Sequence, residues 1–445
     1  MIERLNIWLR RLGHIIASLI NKASLYRFTD DALILSASIS GIVVGLSIVV
    51  YHKVLELVEI GLRWLQRAEW GDISWTALTL PFITALGGLA IGLLKRSVFR
   101  DVHHHGLASV TADLRDDQQP LTLRHAAHAM VLSSISIASG GGAGREAPTV
   151  VLGAAVSSAL ARLGQMSPKA IRILGASGAA AAISGIFNAP LGGILFAVEA
   201  ITGELRARTF IPIVIASVMA TTTVRTILGN HPLLVTPLQE PLALLDYPLL
   251  ALAGVLSAFV AAYHLRTYRW TYAATYKTLH RFPEYLRPMF GGFAAGVPLI
   301  ILPMLLETSY QPVNDAIAGN FTTVWYITIL LAIATIIIKP ITNAVTLASG
   351  GEGGTFAPVL KVGALFGFCL GFALDQVAPT PVGLYAVVCA ASVLAGTYRA
   401  PLTGAILLFE ISGNYGLLLP LLFSSVVAVY IIRRLDVGTF NPVAE

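Results

Sequence analysis

The sequence predicts an all-α polytopic membrane protein assembled from two related halves. Three observations carry this expectation. Of the 445 residues, 56% are hydrophobic and only 12% are charged, where a soluble domain carries about a quarter charged. Apolar runs recur along the whole chain, several of them near the roughly 20 helical residues that cross a hydrocarbon core. Two motifs return in the same order in the second half.

The runs lie at 33–52, 77–94, 126–143, 150–163, 170–203, 209–228, 247–264, 288–306, 323–346, 355–376, 380–412 and 416–432. They are continuously apolar, not alternating, which disfavours a strand barrel. Helices must then pair the backbone within lipid. Several runs are too short to span upright or are broken by Gly and Pro. That pattern belongs to discontinuous helices of the kind that build transport sites.

The start, MIERLNIWLRRLGHIIASLINKASLYRF, lacks the apolar core and cleavage site of a signal peptide. Its charges alternate with apolar residues, so 1–30 is expected to be an amphipathic helix on the cytoplasmic membrane face. The expected order continues with a first membrane repeat at 31–228 and a hydrophilic linker at 229–246. A second repeat at 247–435 and a tail at 436–445 complete it, with no soluble regulatory domain after the last run.

The formal net charge is +6. Basic residues gather at Arg10–Arg11, Lys95–Arg96, 265–287 and Arg433–Arg434. By the positive-inside rule these mark the cytoplasmic side and place both termini there; the cell membrane, of the bacterial inner type, is the expected location. The charge therefore points to membrane topology and not to nucleic acid. Cys369 and Cys389 sit in apolar stretches without a CxxC partner and read as buried small hydrophobes.

The internal repeat is the strongest organisational signal. GREAPTVVLGA at 144–154 aligns without gaps to GTFAPVLKVGA at 354–364. GIFNAPLGGILFAVE at 185–199 aligns to GTYRAPLTGAILLFE at 396–410. The offsets are 210 and 211 residues, so halves of this size indicate a duplicated bundle. Such duplications place a substrate site between the halves near the membrane midplane.

SGGGAGREAP at 139–148 reads as a Gly-rich loop running into a helix start, with Pro148 in the first turn. SGGEGGTFAP at 349–358 has the same layout. Each start exposes unpaired N–H groups at the positive end of a helix dipole, which suits an anion. Glu146 stands at one of these starts. An ionisable residue within an apolar bundle is a functional candidate. A carboxylate there competes with an anion for the same N–H groups, so it can act as a gate: charged it occupies the site, protonated it leaves.

GREAP at 144–148, GTFAP at 354–358, IFNAPLGGILFAVE at 186–199, YRAPLTGAILLFE at 398–410 and SGNYGLLLP at 412–420 together resemble the chloride channel and chloride/proton antiporter (CLC) family. The resemblance runs from about residue 33 to 432. It implies a homodimer in the bilayer, two inverted repeats of tilted and discontinuous helices per subunit, and one pathway for chloride per subunit. It implies that Glu146 is the external gate and first proton acceptor. The N–H groups of Thr355 and Phe356 would form the central anion site, and the Tyr415 hydroxyl would close that site from inside. Arg145, Gly144 and Pro148 complete the gate motif, with Ala147 where the family more usually has glycine.

Two departures stand out. The family's first anion loop commonly reads Gly-Ser-Gly-Ile-Pro, and the best match here is His104-His105-Gly106-Leu107-Ala108. His105 then takes the serine position beside Gly106 and would be a titratable donor to the ion. Antiporters of the common type also carry two adjacent acids after the FNAP stretch, and here the pair is Glu199-Ala200. The position of the family's inner proton relay is thus held by Ala200, which cannot carry a proton, so Glu199, another acid or water must replace it if protons are coupled; a passive chloride channel is the alternative. Lys361 could face a water-filled vestibule, snorkel or pair with an acid.

Other classes are weaker. GASG at 175–178 resembles the nucleophile motif of rhomboid proteases, but no later mid-helix histidine offers a base. His103, His104, His105, His125 and His128 show no HExxH spacing, and consecutive histidines cannot all face one ion. No enzyme activity, metal or cofactor is expected; the expected partners are chloride, protons, lipid and a second copy of the chain.

Overall fold

The computed structural model describes residues 30–66, 75–100, 106–115, 121–203, 206–230, 234, 246–306, 311–318, 325–375 and 381–440. Sixteen α-helices lie within them. The first half holds α1 (Asp30–Gln66), α2 (Trp75–Ser97), α3 (Gly106–Arg115), α4 (Leu123–Ala138), α5 (Glu146–Leu163), α6 (Pro168–Phe187), α7 (Pro190–Phe196) and α8 (Ala207–Leu228). The second holds α9 (Tyr247–Leu279), α10 (Arg287–Gly296), α11 (Gln311–Ala318), α12 (Trp325–Ala348), α13 (Phe356–Leu374), α14 (Val382–Tyr398), α15 (Pro401–Ser412) and α16 (Leu418–Arg434). A π-turn, Ala197–Thr202, extends α7. Among the described residues, eight helices are long and apolar enough to cross a membrane.

The duplication is visible in the packing. α5 lies along α6 as α13 lies along α14, and α1 lies on α8 as α9 lies on α16. Small residues permit the close approach. Gly153 and Gly178 face each other's backbone, and a Cβ on either would collide with the other's carbonyl oxygen. The chain's local breaks repeat as well. Gly140 and Gly350, 210 residues apart, hold φ of +103° and +96° after Ser139 and Ser349. Asn188 and Arg399 both end their helices in the left-handed region, at φ +57° and +50°, and a proline opens the next helix in each case.

Helix α2 shows how the two Gly-rich loops are oriented. Thr84 Oγ1 donates to the Ser139 carbonyl at 2.9 Å. Lys95 Nζ donates to the Gly350 carbonyl at 2.9 Å. These residues lie about 16 Å apart along the helix axis at the standard rise. The first loop therefore meets α2 at its middle and the second near its C-terminal end.

Candidate functional site

The two loops meet at Gly144 and Gly354. Gly144 N–H donates to Gly354 O at 2.9 Å, and Gly354 N–H donates to Gly144 O at 2.7 Å. Asn343 of α12 ties the crossing from the side: its Nδ2 donates to Gly142 O at 3.1 Å and Gly354 O at 3.2 Å. α5 and α13 both begin at this crossing, one from each repeat. Pro148 and Pro358 sit in their first turns, where a missing N–H breaks no helical bond.

Glu146 is the first residue of α5 and is 1% exposed. Its carboxylate does not stay with its own helix. Oε2 accepts from the Ala357 N–H at 3.3 Å, a first-turn donor of α13 with no partner inside that helix. A negative group from one repeat thus occupies the positive end of a helix from the other. Gly144 permits this, because a Cβ there would collide with Glu146 Oε2.

Thr355 precedes α13 and Phe356 opens it. The Phe356 ring is buried against Phe187, Phe196 and Tyr398, with centroids 5.4, 6.2 and 5.5 Å away. The Thr355 and Tyr398 hydroxyls are hydrogen-bonded at 2.7 Å. The tyrosine brought to this site is therefore Tyr398, at the end of α14. Tyr415, expected to close the site, is 83% exposed and packs its ring on Phe409 at 5.1 Å. The reason is local: Asn414 accepts from the Gly416 N–H at 2.9 Å and caps the turn leading into α16, which turns Tyr415 outward. Tyr398 had a sequence signal. It is the aromatic of GTYRAP, equivalent to Phe187 of GIFNAP, and both rings touch Phe356.

Arg145 is the N-cap of α5, and its carbonyl accepts from Thr149 N and Oγ1 at 3.2 and 2.7 Å. Gly106 opens α3 at φ +79°. His105, expected beside it, lies outside the described residues, as do His103 and His104.

Glu199 does not face the crossing loops. It accepts from Leu402 N at 3.2 Å, Thr403 N at 2.7 Å and Thr403 Oγ1 at 2.7 Å. It therefore caps α15, in the other repeat. Its equivalent Glu410 accepts from Gly192 N at 2.7 Å and caps α7 in return. The repeat ends in Glu because each copy supplies the cap of the other copy's Ala-Pro-Leu helix. Ala200 is fully buried within the π-turn.

Lys361 faces no vestibule. It is 1% exposed and donates to Leu306 O, while the equally buried Lys339 donates to Leu305 O at 2.5 Å. Ser177 of the GASG stretch is buried and donates to Ile173 O at 2.8 Å, so the small residues there serve helix contact; a later mid-helix histidine does exist, His264 of α9, contrary to expectation, and its buried ring meets Phe440 edge-on at 6.0 Å. Among the described residues no three His, Cys, Asp or Glu side chains are grouped to hold a metal.

Two inverted sets of broken helices, with helix starts crossing in the interior and a carboxylate lodged between them, define a polytopic membrane transport protein. The chain belongs to the voltage gated chloride channel family, whose pattern matches residues 87–433. The H(+)/Cl(-) exchange transporter ClcA of Vibrio parahaemolyticus is 27% identical over 435 residues, covering 95% of this chain and 91% of the relative. Among solved structures, a slow cyanobacterial Cl-/H+ antiporter shares the fold with a TM-score of 0.80 at 20% identity, covering 94% of this chain and 97% of the other. A CLC-type fluoride/proton antiporter does so with a TM-score of 0.71 at 21% identity, covering 91% and 96%.

Proposed function

We propose that the protein exchanges chloride for protons across a cell membrane as a homodimer, with both termini cytoplasmic and one pathway in each copy. The observation that carries this reading is the hydrogen bond from the Ala357 N–H to Glu146. A carboxylate that occupies a helix-start donor excludes an anion from it. Protonation removes the charge that holds it there, so proton uptake frees the donor for an anion, and the charged carboxylate and the anion are alternatives at one place. The Thr355 and Phe356 N–H groups and the Tyr398 hydroxyl are the remaining donors we assign to the anion. His105 and Gly106 are assigned to the approach, with Arg145 holding the start of α5. We assign Glu199 to capping α15, which leaves the inner proton relay to another group.

A passive channel is the second reading, favoured by Ala200 at the usual relay position. One experiment separates the two. Purified protein is reconstituted in liposomes under a chloride gradient with no proton gradient. Exchange uses the chloride gradient to build a proton gradient where there was none, which is uphill movement; a channel moves chloride and leaves the internal pH unchanged. Uphill proton movement supports the first reading, and chloride flux without it overturns that reading.

A further inference from the structure

We infer that Glu352, served by His128 and Lys95, takes up the proton on the inner side of the exchange cycle. The inference rests on the exchange reading above and supplies the relay that Ala200 lacks. Glu352 lies in the second Gly-rich loop and is 5% exposed. Lys95 Nζ of α2 is 2.6 Å from its Oε1, and Nε2 of His128 on α4 is 3.9 Å from the same oxygen. His128 is 2% exposed and meets the edge of Phe99 at 5.2 Å. Three titratable side chains from three elements thus converge at one buried point.

The fold does not require this cluster. The repeat equivalent of Glu352 is Gly142, where a Cβ would collide with the Thr342 backbone. The opposite loop makes the same crossing with no side chain at that position. Burying a carboxylate and an ammonium together gives little net stability, since desolvation offsets their attraction. An acid present at one end of a near-symmetric bundle therefore reads as functional.

Its position fits proton entry. The cluster sits at the Lys95 end of α2, where Arg96 stacks on Tyr285 at 4.7 Å and Arg124 donates to Val98 O. His125, bonded to Thr122 at 2.8 Å, lies on the same end of α4. This is the side that the basic residues mark as cytoplasmic. Glu352 is also linked to the gate. Two residues on is Gly354, whose backbone is bonded to Gly144, two residues before Glu146.

The step balances simply. A cytoplasmic proton binds Nε2 of His128. As it passes to Glu352, the N–H bond breaks with its electron pair left on the imidazole, and an O–H bond forms at Oε1. Lys95 keeps its proton and holds the carboxyl group by Coulomb attraction. A side-chain rotation or one bridging water closes the 3.9 Å gap.

The test compares Glu352→Gln, His128→Asn and Glu146→Gln in chloride-loaded liposomes, with anion flux and proton movement recorded on the same preparation. Size-exclusion elution confirms folding. We expect the protons moved per chloride to fall roughly ten-fold or more in Glu352→Gln. In His128→Asn the dependence of proton uptake on internal pH should shift. Coupling that persists unchanged in both while Glu146→Gln abolishes it overturns the inference and leaves the exchange reading intact. Absence of coupled protons in the unmutated protein overturns both.

Discussion

Gly144 and Gly354 exchange a reciprocal pair of backbone hydrogen bonds, at 2.9 and 2.7 Å, across the boundary between the two repeats. The pairing sets the distance between the starts of α5 and α13. It also explains why Glu146 reaches the opposite helix: with the loops held backbone to backbone, the first turn of α13 lies within reach of its side chain.

Gly144→Ala tests that geometry. The added methyl meets Glu146 Oε2 and the Ala357 side chain. Overpacking of this kind costs about 1–3 kcal/mol. The expected result is a lowered melting temperature in detergent, and faster anion flux at neutral pH because the carboxylate no longer seats on Ala357. A variant with unchanged flux and stability would show that the crossing has slack.

Glu146→Gln separates the gate's two tasks. The amide cannot carry the negative charge that competes with an anion, and it cannot take up a transported proton. Anion flux should persist and lose its dependence on external pH, while uphill proton movement disappears. A sensitive pH electrode and a chloride electrode on one liposome suspension read both. Proton movement that survives would remove Glu146 from the pathway.

Tyr398→Phe deletes one hydroxyl and keeps the ring contact with Phe356. The Thr355 hydroxyl loses its 2.7 Å partner. The anion also loses the hydroxyl assigned to it, and a hydrogen bond to a charged group is worth about 1.5–3 kcal/mol, so the apparent affinity for chloride should weaken roughly ten-fold or more, as read by isothermal titration. Tyr415→Phe, at an 83% exposed position, should bind as the parent does. The reverse outcome would restore Tyr415 to the site.

These residues show what the sequence carried and what it hid. Composition and run length were enough for a helical membrane protein, because lipid leaves the backbone few choices. The two offsets, 210 and 211, located both helix starts, and Pro148 and Pro358 marked their first turns. Glu146 was legible because a carboxylate beside Gly-rich turns is chemically conspicuous. Tyr398 carries a signal only through the repeat, as the equivalent of Phe187, whereas the family resemblance of SGNYGLLLP points to Tyr415. Which tyrosine reaches Thr355 depends on the C-terminal cap of α14, a tertiary matter. The Glu352, His128 and Lys95 cluster was hidden for the same reason: its members are 33 and 224 residues apart along the chain. The function of Glu199 needed the partner helix to be seen.

Glu199 and Glu410 give the last prediction. Each caps a helix of the opposite repeat, so both should behave as structural residues despite lying in a transport motif. Glu199→Gln leaves one amide oxygen facing three donors, Leu402 N, Thr403 N and Thr403 Oγ1. Glu410→Gln weakens the bond from Gly192 N. Hydrogen bonds to a charged acceptor are worth about 1.5–3 kcal/mol, and the amide keeps part of that. Each variant should lose about 1–2 kcal/mol by denaturation in detergent, and the double variant should depart from the sum, because both caps join the same pair of packed helices, α7 and α15. The ratio of protons to chloride should stay at the parent value in both. If that ratio collapses in Glu199→Gln while Glu410→Gln retains it, Glu199 carries the proton as well as the cap, and the symmetry between the two residues ends at their hydrogen bonds.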